Sequence, residues 1–377
     1  MTRSTLLVTA VSLSLLLLAA GRPARGEEVP LLRQVFAKDF LIGAALNRAT
    51  VTGADGFSAI IARSQFNAAT PENDLKWEMV HPRPGVYSFE GSDAFVSFCE
   101  SNRMTVIGHT LVWHSQTPKW VFENAPGKPV DRATLIERMR DHIHTVVGHY
   151  KGRIHGWDVV NEALAEDGTL RQSPWLKIIG KEYLVLAFRF AHEADPSAEL
   201  YYNDYSLQLP AKRKGALALI RRLQKQGVPV NAVGLQDHIR LDWPKVEEMD
   251  QAIADFAALG IKVNITELDI DVLPQATQPA TAEASAHAGD DAKLNPYAKT
   301  GLPAGVQDEL ATRYAAVFGV YLKHKDVIQR VTFWGVTDRT SWLNNWPVRG
   351  RTSFPLLFDW RGMPKPAFHA VVKVAEQ

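Results

Sequence analysis

The sequence predicts an α/β protein folded as a single (β/α)8 TIM barrel, and three observations carry that prediction. From about residue 30 onward, short β-type apolar runs alternate with longer segments of helical periodicity, and each kind occurs eight times. Eight strand–helix units over roughly 345 residues match the count and size of such a barrel. No internal Gly/Ser/Pro-rich linker divides the chain of 377 residues, so residues 30–377 read as one domain.

The elements follow in order. The strand candidates are Phe40–Asn47, Phe66–Asn73, Met104–Trp113, Ile154–Glu162, Glu199–Asp204, Ala232–Ile239, Ile261–Ile270 and Val327–Thr337. The helix candidates between and after them are Asp55–Ser64, Ser92–Asn102, Asp131–Tyr150, Pro174–Ala194, Ala211–Gln226, Lys245–Leu259, Val306–Lys325 and Lys365–Glu376. End signals support several of these. Ser173 and Pro174 form an N-cap followed by an N1 proline. Gly227 and Gly260 follow their helices as C-terminal glycines, each leading into the next strand. One stretch breaks the rhythm: residues 274–303, between the seventh strand and the seventh helix, are rich in Ala, Thr, Pro, Gln and Asp and lack periodicity. In a barrel, such an insertion lies on the catalytic face. Its middle part has the composition of disorder, while Asn295-Pro296-Tyr297 and Leu302-Pro303 have the residues to pack.

Composition sets the broad class. Hydrophobic residues at 46% and charged residues at 22% are the balance of a globular protein, and a formal net charge of +1 argues for neither nucleic acid nor an anionic membrane as partner. At the N-terminus, Arg3 precedes an apolar stretch from Leu6 to Ala20 closed by Ala19-Ala20-Gly21. That is the pattern of a secretory signal, with cleavage near Ala20 or near Gly26, and it is short for a membrane span. Residues 1–26 are therefore expected to be a signal peptide, and the protein secreted or periplasmic. An uncleaved anchor is the alternative. Cys99 is the only cysteine, so no internal disulfide forms, and its apolar helical setting makes it a buried, inert thiol.

Chemistry concentrates at strand ends. Glu162 and Glu267 each terminate an apolar β-type run, where a carboxylate is costly without a partner or a task. Side chains two apart share a strand face. On that rule Asp158, Val160 and Glu162 face together, as do Val263, Ile265, Glu267 and Asp269; His109, Leu111 and Trp113; and Gln236 and His238. In each set a polar or aromatic group lies at the C-terminal end of its strand, the end where barrel enzymes place their active sites. Two carboxylates in such a setting support glycoside hydrolysis, retaining at roughly 5–5.5 Å separation and inverting when farther apart. Glu162, after Val159-Val160 and near Trp157, suits the acid, because burial raises a carboxyl pKa. Glu267, with Asp269 on its face and His238 nearby, suits the ionised nucleophile.

The cluster from Thr70 to Trp77 reads two ways. Asn73 and Lys76 can hydrogen-bond sugar hydroxyls and Glu72 can orient them, or the segment is a charged turn. Trp113, Trp334 and Trp342 are either stacking surfaces for a sugar ring or core residues. The 12 histidines show no zinc-type spacing, and neither a Gly-x-Ser-x-Gly elbow nor a phosphate-binding glycine loop is present. No metal and no cofactor are expected.

Trp157-Asp158-Val159-Val160-Asn161-Glu162-Ala163 closely resembles the acid/base segment of family 10 glycoside hydrolases, the endo-β-1,4-xylanases. Ile265-Thr266-Glu267-Leu268-Asp269 resembles their nucleophile segment. The similarity runs from about residue 35 to 375, through Gly108–His114, Tyr202-Asn203-Asp204, Gly234–His238 and Thr332–Gly335, in the family's order. The resemblance implies a retaining mechanism on xylan, with Glu162 as acid/base and Glu267 as nucleophile. Asn161 matches the contact to the 2-hydroxyl of the attacked sugar, and His238 with Asp269 the pair that holds the nucleophile. Glu72, Asn73, Lys76, His109, Trp113, Gln236, Trp334 and Trp342 match glycone-side subsites. Asn203 and Tyr205 match groups near the catalytic centre and the aglycone side. The 274–303 insertion is longer than compact members carry, which leaves aglycone-side preference open. The expected partners are xylan and xylo-oligosaccharides, acted on by a monomer. A β-1,4-glucanase on the same scaffold is the neighbouring alternative, and a catalytically dead xylan-binding barrel is the alternative of a different class; the latter needs neither glutamate.

Overall fold

In the computed structural model, residues 29–275 and 292–377 are described. The expected signal segment 1–26 and most of the expected insertion lie outside them. Eight parallel strands close on themselves: β1 (Leu41–Leu46), β2 (Ala68–Pro71), β3 (Thr105–Val112), β4 (Gly156–Asn161), β5 (Glu199–Asp204), β6 (Ala232–Leu235), β7 (Lys262–Asp271) and β8 (Ile328–Phe333). Neighbours in sequence are neighbours in space, and β8 pairs both with β7 and with β1. The register at closure sets Gly43 between Ala68 of β2 and Thr332 of β8. The strands are buried almost along their whole length because one face lines the barrel interior and the other meets the helices.

The main helices form the outer ring: α1 (Gly56–Gln65), α2 (Glu90–Ser101), α3 (Arg132–His149), α4 (Glu182–Ala194), α5 (Pro210–Lys225), α6 (Val246–Ala257), α7 (Ala304–Lys323) and α8 (Pro366–Ala375). Helix α3 illustrates how they dock. The Asp131 carboxylate accepts from the Thr134 amide and caps the first turn. Its buried residues Leu135, Met139, Ile143, Val146 and Val147 form one stripe at helical spacing. Burying each such side chain contributes about 1.5–3 kcal/mol. Cys99 is fully buried in α2, and burial pushes its thiol pKa up, as expected of an inert thiol.

Two elements differ from the sequence expectation. The helix expected over Pro174–Ala194 is two helices, Pro174–Ile179 and Glu182–Ala194. Ser173 caps the first as expected, but Gly180, at φ 83, turns the chain out of helical geometry. The strand expected over Ala232–Ile239 is interrupted after Leu235 and resumes at His238–Arg240, which pairs with the far end of β7. Asp237, at φ 56, makes the kink. The described end of the insertion packs: Tyr297 and Leu302 lie against the core, and Asn295 accepts from the Thr352 amide at 3.0 Å.

Close approach requires glycine at several barrel positions, Gly108, Gly156 and Gly234 among them. A Cβ on Gly108 of β3 would sit 2.1 Å from the Trp157 ring of β4. Trp157 fills this space and is buried.

Candidate active site

The site is built at the C-terminal ends of the strands, where the ladders become irregular. Register shifts fall after His109 on β3, after Asp158 on β4 and after Ile265 on β7. Such irregularities re-aim side chains and are common beside active sites. They break the strict alternation used to group residues. Asn161 and Glu162 are adjacent, yet both enter one network, as do Thr266 and Glu267. Glu162 adopts a left-handed backbone, φ 56, a conformation that costs an L-residue about 1–3 kcal/mol. It is held there from both sides: its amide donates to the Asn203 carbonyl at 2.9 Å, and its carbonyl accepts from Arg171 Nε at 3.0 Å.

One hydrogen-bonded chain joins the two glutamates. Trp113 Nε1 donates to Glu162 Oε2 at 2.9 Å, and Gln236 Nε2 donates to Glu162 Oε1 at 3.1 Å and to Asn161 Oδ1 at 3.2 Å. Asn203 Nδ2 donates to Asn161 Oδ1 at 3.0 Å and to Glu267 Oε1 at 2.8 Å. Thr266 Oγ1 donates to Asn203 Oδ1 at 2.7 Å and fixes the direction of that amide. On the far side of Glu267, His238 Nε2 lies 3.1 Å from Oε2, and His238 Nδ1 lies 3.0 Å from Asp269 Oδ2.

The two carboxyls are displaced in opposite directions. Burial, then the negative charge of Asp204, holds the Glu162 pKa above the usual carboxylate range. Burial also acts on Glu267, but the hydrogen bond from His238, the charges of His109 and His238 and the Asn203 bond outweigh it and bring its pKa down. Burial alone depresses His238; the Asp269 charge and the hydrogen bonds to Asp269 and Glu267 more than reverse this and push it up to about 10. At neutral pH, His238 is therefore a cation donating from both ring nitrogens.

The remaining expected residues are distributed around this chain. Lys76 Nζ donates to Asn73 Oδ1 at 2.9 Å and to Gln116 Oε1 at 2.7 Å, and lies 5.2 Å from the Trp113 ring centre. Burial lowers its pKa against the attraction of Glu72, Glu267 and Glu162. Burial raises Glu72. The Thr70–Trp77 cluster thus reaches the two glutamates electrostatically through Lys76. His109 Nδ1 lies 2.9 Å from Asp158 Oδ2, and Trp334 stands edge-on to both His109 and His238. Tyr205 Oη accepts from Arg171 Nη2 at 2.8 Å.

One expectation is corrected. The indole in contact with Glu162 is Trp113; Trp157 lies against Gly108 instead. Trp346 stacks on Trp342 at 4.8 Å and 19°, and the Trp342 Nε1 donates to Asp269 Oδ2 at 2.7 Å. Sequence reasoning also missed several participants. Gln116 bridges Lys76 and Glu78 from a loop at φ 46, with no periodicity to mark it. Asp204, buried and 3.0 Å from the buried Lys212 ammonium, stands beside Glu162 electrostatically. The signal for Asp204 was available as another carboxylate at a strand end.

A closed barrel with two buried carboxyls of opposite pKa displacement, joined through amide side chains at the C-terminal rim, defines a carboxylate-pair glycoside hydrolase. The sequence profile of glycosyl hydrolase family 10 matches residues 31–374. The chain is 43% identical to endo-1,4-beta-xylanase A of Xylanibacter ruminicola over 98% of this chain and 99% of the relative. It is 40% identical to a beta-1,4-xylanase of Dictyoglomus thermophilum, over 93% and 92% of the two chains. The solved structure of a family 10 endoxylanase retrieved from sugarcane soil metagenome superposes with a TM-score of 0.87 at 44% identity, covering 91% of this chain and 99% of that one. The chain belongs to glycosyl hydrolase family 10.

Proposed function

We propose that this protein is an endo-1,4-β-xylanase that cuts internal β-1,4-xylosidic bonds of xylan with retention of configuration. The observation that carries the reading is the opposite pKa displacement of Glu162 and Glu267 within one hydrogen-bonded network. A proton donor and an attacking carboxylate must hold different protonation states at one pH. In the first step a Glu267 oxygen attacks the anomeric carbon, the bond to the leaving oxygen breaks, and the Glu162 proton passes to that oxygen. In the second, Glu162 takes a proton from water as the water oxygen attacks the same carbon. As that bond forms, the bond to Glu267 breaks, and both carboxyls return to their starting states.

His238 and Asp269 keep the nucleophile charged and aimed. Asn161 binds the 2-hydroxyl of the attacked sugar, and Asn203 orients Asn161 and Glu267 together. Glu72, Asn73, Lys76, His109, Trp113, Gln236, Trp334 and Trp342 hold the glycone side, and Tyr205 the aglycone side. The names of the relatives support xylan as substrate. The deciding experiment is product analysis on unbranched xylan and carboxymethylcellulose side by side. Xylo-oligosaccharides from xylan alone are expected; release from the cellulose derivative at a comparable rate would favour the glucanase alternative.

The pattern of residues 1–26 supports export to the periplasm or medium, which N-terminal sequencing of protein recovered from cell fractions tests. A monomer is proposed, with solution mass by light scattering as its check.

A further inference from the structure

The segment His238-Ile239-Arg240 carries a charged group that the reaction described above does not use. Its three residues pair in parallel with Asp269, Ile270 and Asp271. Ile239 is buried in the core, so strand alternation puts His238 and Arg240 together on the opposite face, toward the cleft. Arg240 thus lies about 6.6 Å beyond His238 along the strand. Its backbone is held at both ends of the residue: the amide donates to the Trp243 carbonyl at 2.8 Å, and the carbonyl accepts from Arg313 Nε at 3.1 Å.

The guanidinium itself is weakly engaged. Its Nε is buried without a hydrogen-bond partner, and its carbon lies 5.9 Å from the Trp243 ring centre. Its ion-pair partner among the described residues is Asp242 at 3.4 Å, a side chain 82% exposed. An exposed pair of this kind is worth about 0–1 kcal/mol and exchanges readily. The other cations of the cleft are committed. Lys76 is bonded to Asn73 and Gln116, Arg171 to backbone carbonyls and Tyr205, and Arg351 is paired with Asp271. A neutral sugar chain offers no charge to match a guanidinium held by one exposed partner, whereas a carboxylate meets its planar fork with two parallel bonds.

We infer that Arg240 is a specificity-determining residue that binds the carboxylate of a uronic-acid branch on the xylan chain. The inference rests on the xylanase reading, because it requires a xylan backbone in the cleft. It makes branch charge, rather than branch size, the property selected at this position.

The test compares wild type, R240Q and R240K on two xylo-oligosaccharides of equal backbone length, one unbranched and one carrying a single glucuronic acid. R240Q is expected to lower kcat/KM about five-fold on the branched substrate and less than two-fold on the unbranched one, with R240K intermediate. The wild-type preference for the branched substrate is expected to fall as salt rises toward 1 M. Equal losses on both substrates, or no change on either, overturn the assignment. If R240Q fails to fold by circular dichroism, the R240K comparison and the wild-type salt titration decide, and a salt-independent substrate ratio overturns it. A wild-type enzyme that cleaves neither substrate would instead remove the xylanase reading.

Discussion

Trp342 and His238 meet at a single atom. The indole Nε1 donates to Asp269 Oδ2 at 2.7 Å, and His238 Nδ1 lies 3.0 Å from the same oxygen. The loop after β8 is thereby tied to the support of Glu267, the proposed nucleophile on β7. Arg351, from the same loop, reinforces the tie by pairing with Asp271 two residues farther along β7. Trp342 is therefore mechanically connected to His238, the residue that lowers the Glu267 pKa.

Glu267→Ala is expected to lower turnover on xylan by at least about 10⁴-fold, because no covalent intermediate forms without the carboxylate. Initial-rate measurement of reducing ends checks this, and normal turnover would end the nucleophile assignment. In the wild type, proton NMR taken before mutarotation should show the β-anomer as first product; an α-product means inversion.

Glu162→Ala separates acid from base catalysis. On xylan, the loss is expected to be about 10²–10⁴-fold, the usual contribution of a positioned proton donor. With an activated aryl xyloside the leaving group departs without a proton, so the burst of the first step should survive while the steady state slows. Stopped-flow release of the phenol reads both phases. Equal loss of burst and steady state counts against the acid role.

His238→Gln removes the cation that lowers the Glu267 pKa. The acid limb of kcat/KM, which reports ionisation of the free enzyme's nucleophile, is expected to move to higher pH. His238 also contributes to stability. Its folded pKa of about 10 lies above the unbound value of 6.5, so its contribution is fully present below pH 6.5 and is lost as pH rises through 10. The melting temperature of the wild type should therefore fall more steeply than that of the variant between those pH values. Parallel curves would show that the ion pair does not stabilise the fold.

The buried pair His81 and His142 gives the opposite sign. Their Nδ1 atoms are 3.3 Å apart, and the His142 ring stacks on Trp77 at 3.6 Å. Burial pulls His81 down to about 4 and His142 well below its usual value. Both must stay neutral in the fold, so the stability they permit is present above pH 6.5 and lost as pH falls toward 4. His81→Phe is expected to flatten the loss of melting temperature across that window, even if it lowers the value at pH 7. An unchanged acid slope would assign the loss to other groups.

The strand count, the helix order and the identities of the two glutamates were legible because each rests on a local pattern. Parallel barrel strands are apolar on both faces, and a carboxylate at the end of such a run stands out. What escaped was set by single backbone angles and by distant partners. Gly180 was present within an otherwise helical stretch, but only its φ of 83 divides Pro174–Ile179 from α4. Trp113, just past the end of β3, reaches Glu162, whereas Trp157 lies on the other face of β4 against Gly108.

The sequence by itself determined the barrel, the segments that supply its rim and the chemical types gathered there, since periodicity and composition depend only on near neighbours along the chain. Tertiary structure alone decided the direction in which each carboxyl pKa moves. Glu162 and Glu267 are the same residue type at the C-terminal parts of their strands, and both are buried. They differ because Asp204 stands beside one while His238, His109 and Asn203 surround the other, partners brought from other strands by closure of the sheet. Electrostatic energy depends on distance through space, and the chain has no such distances until it folds.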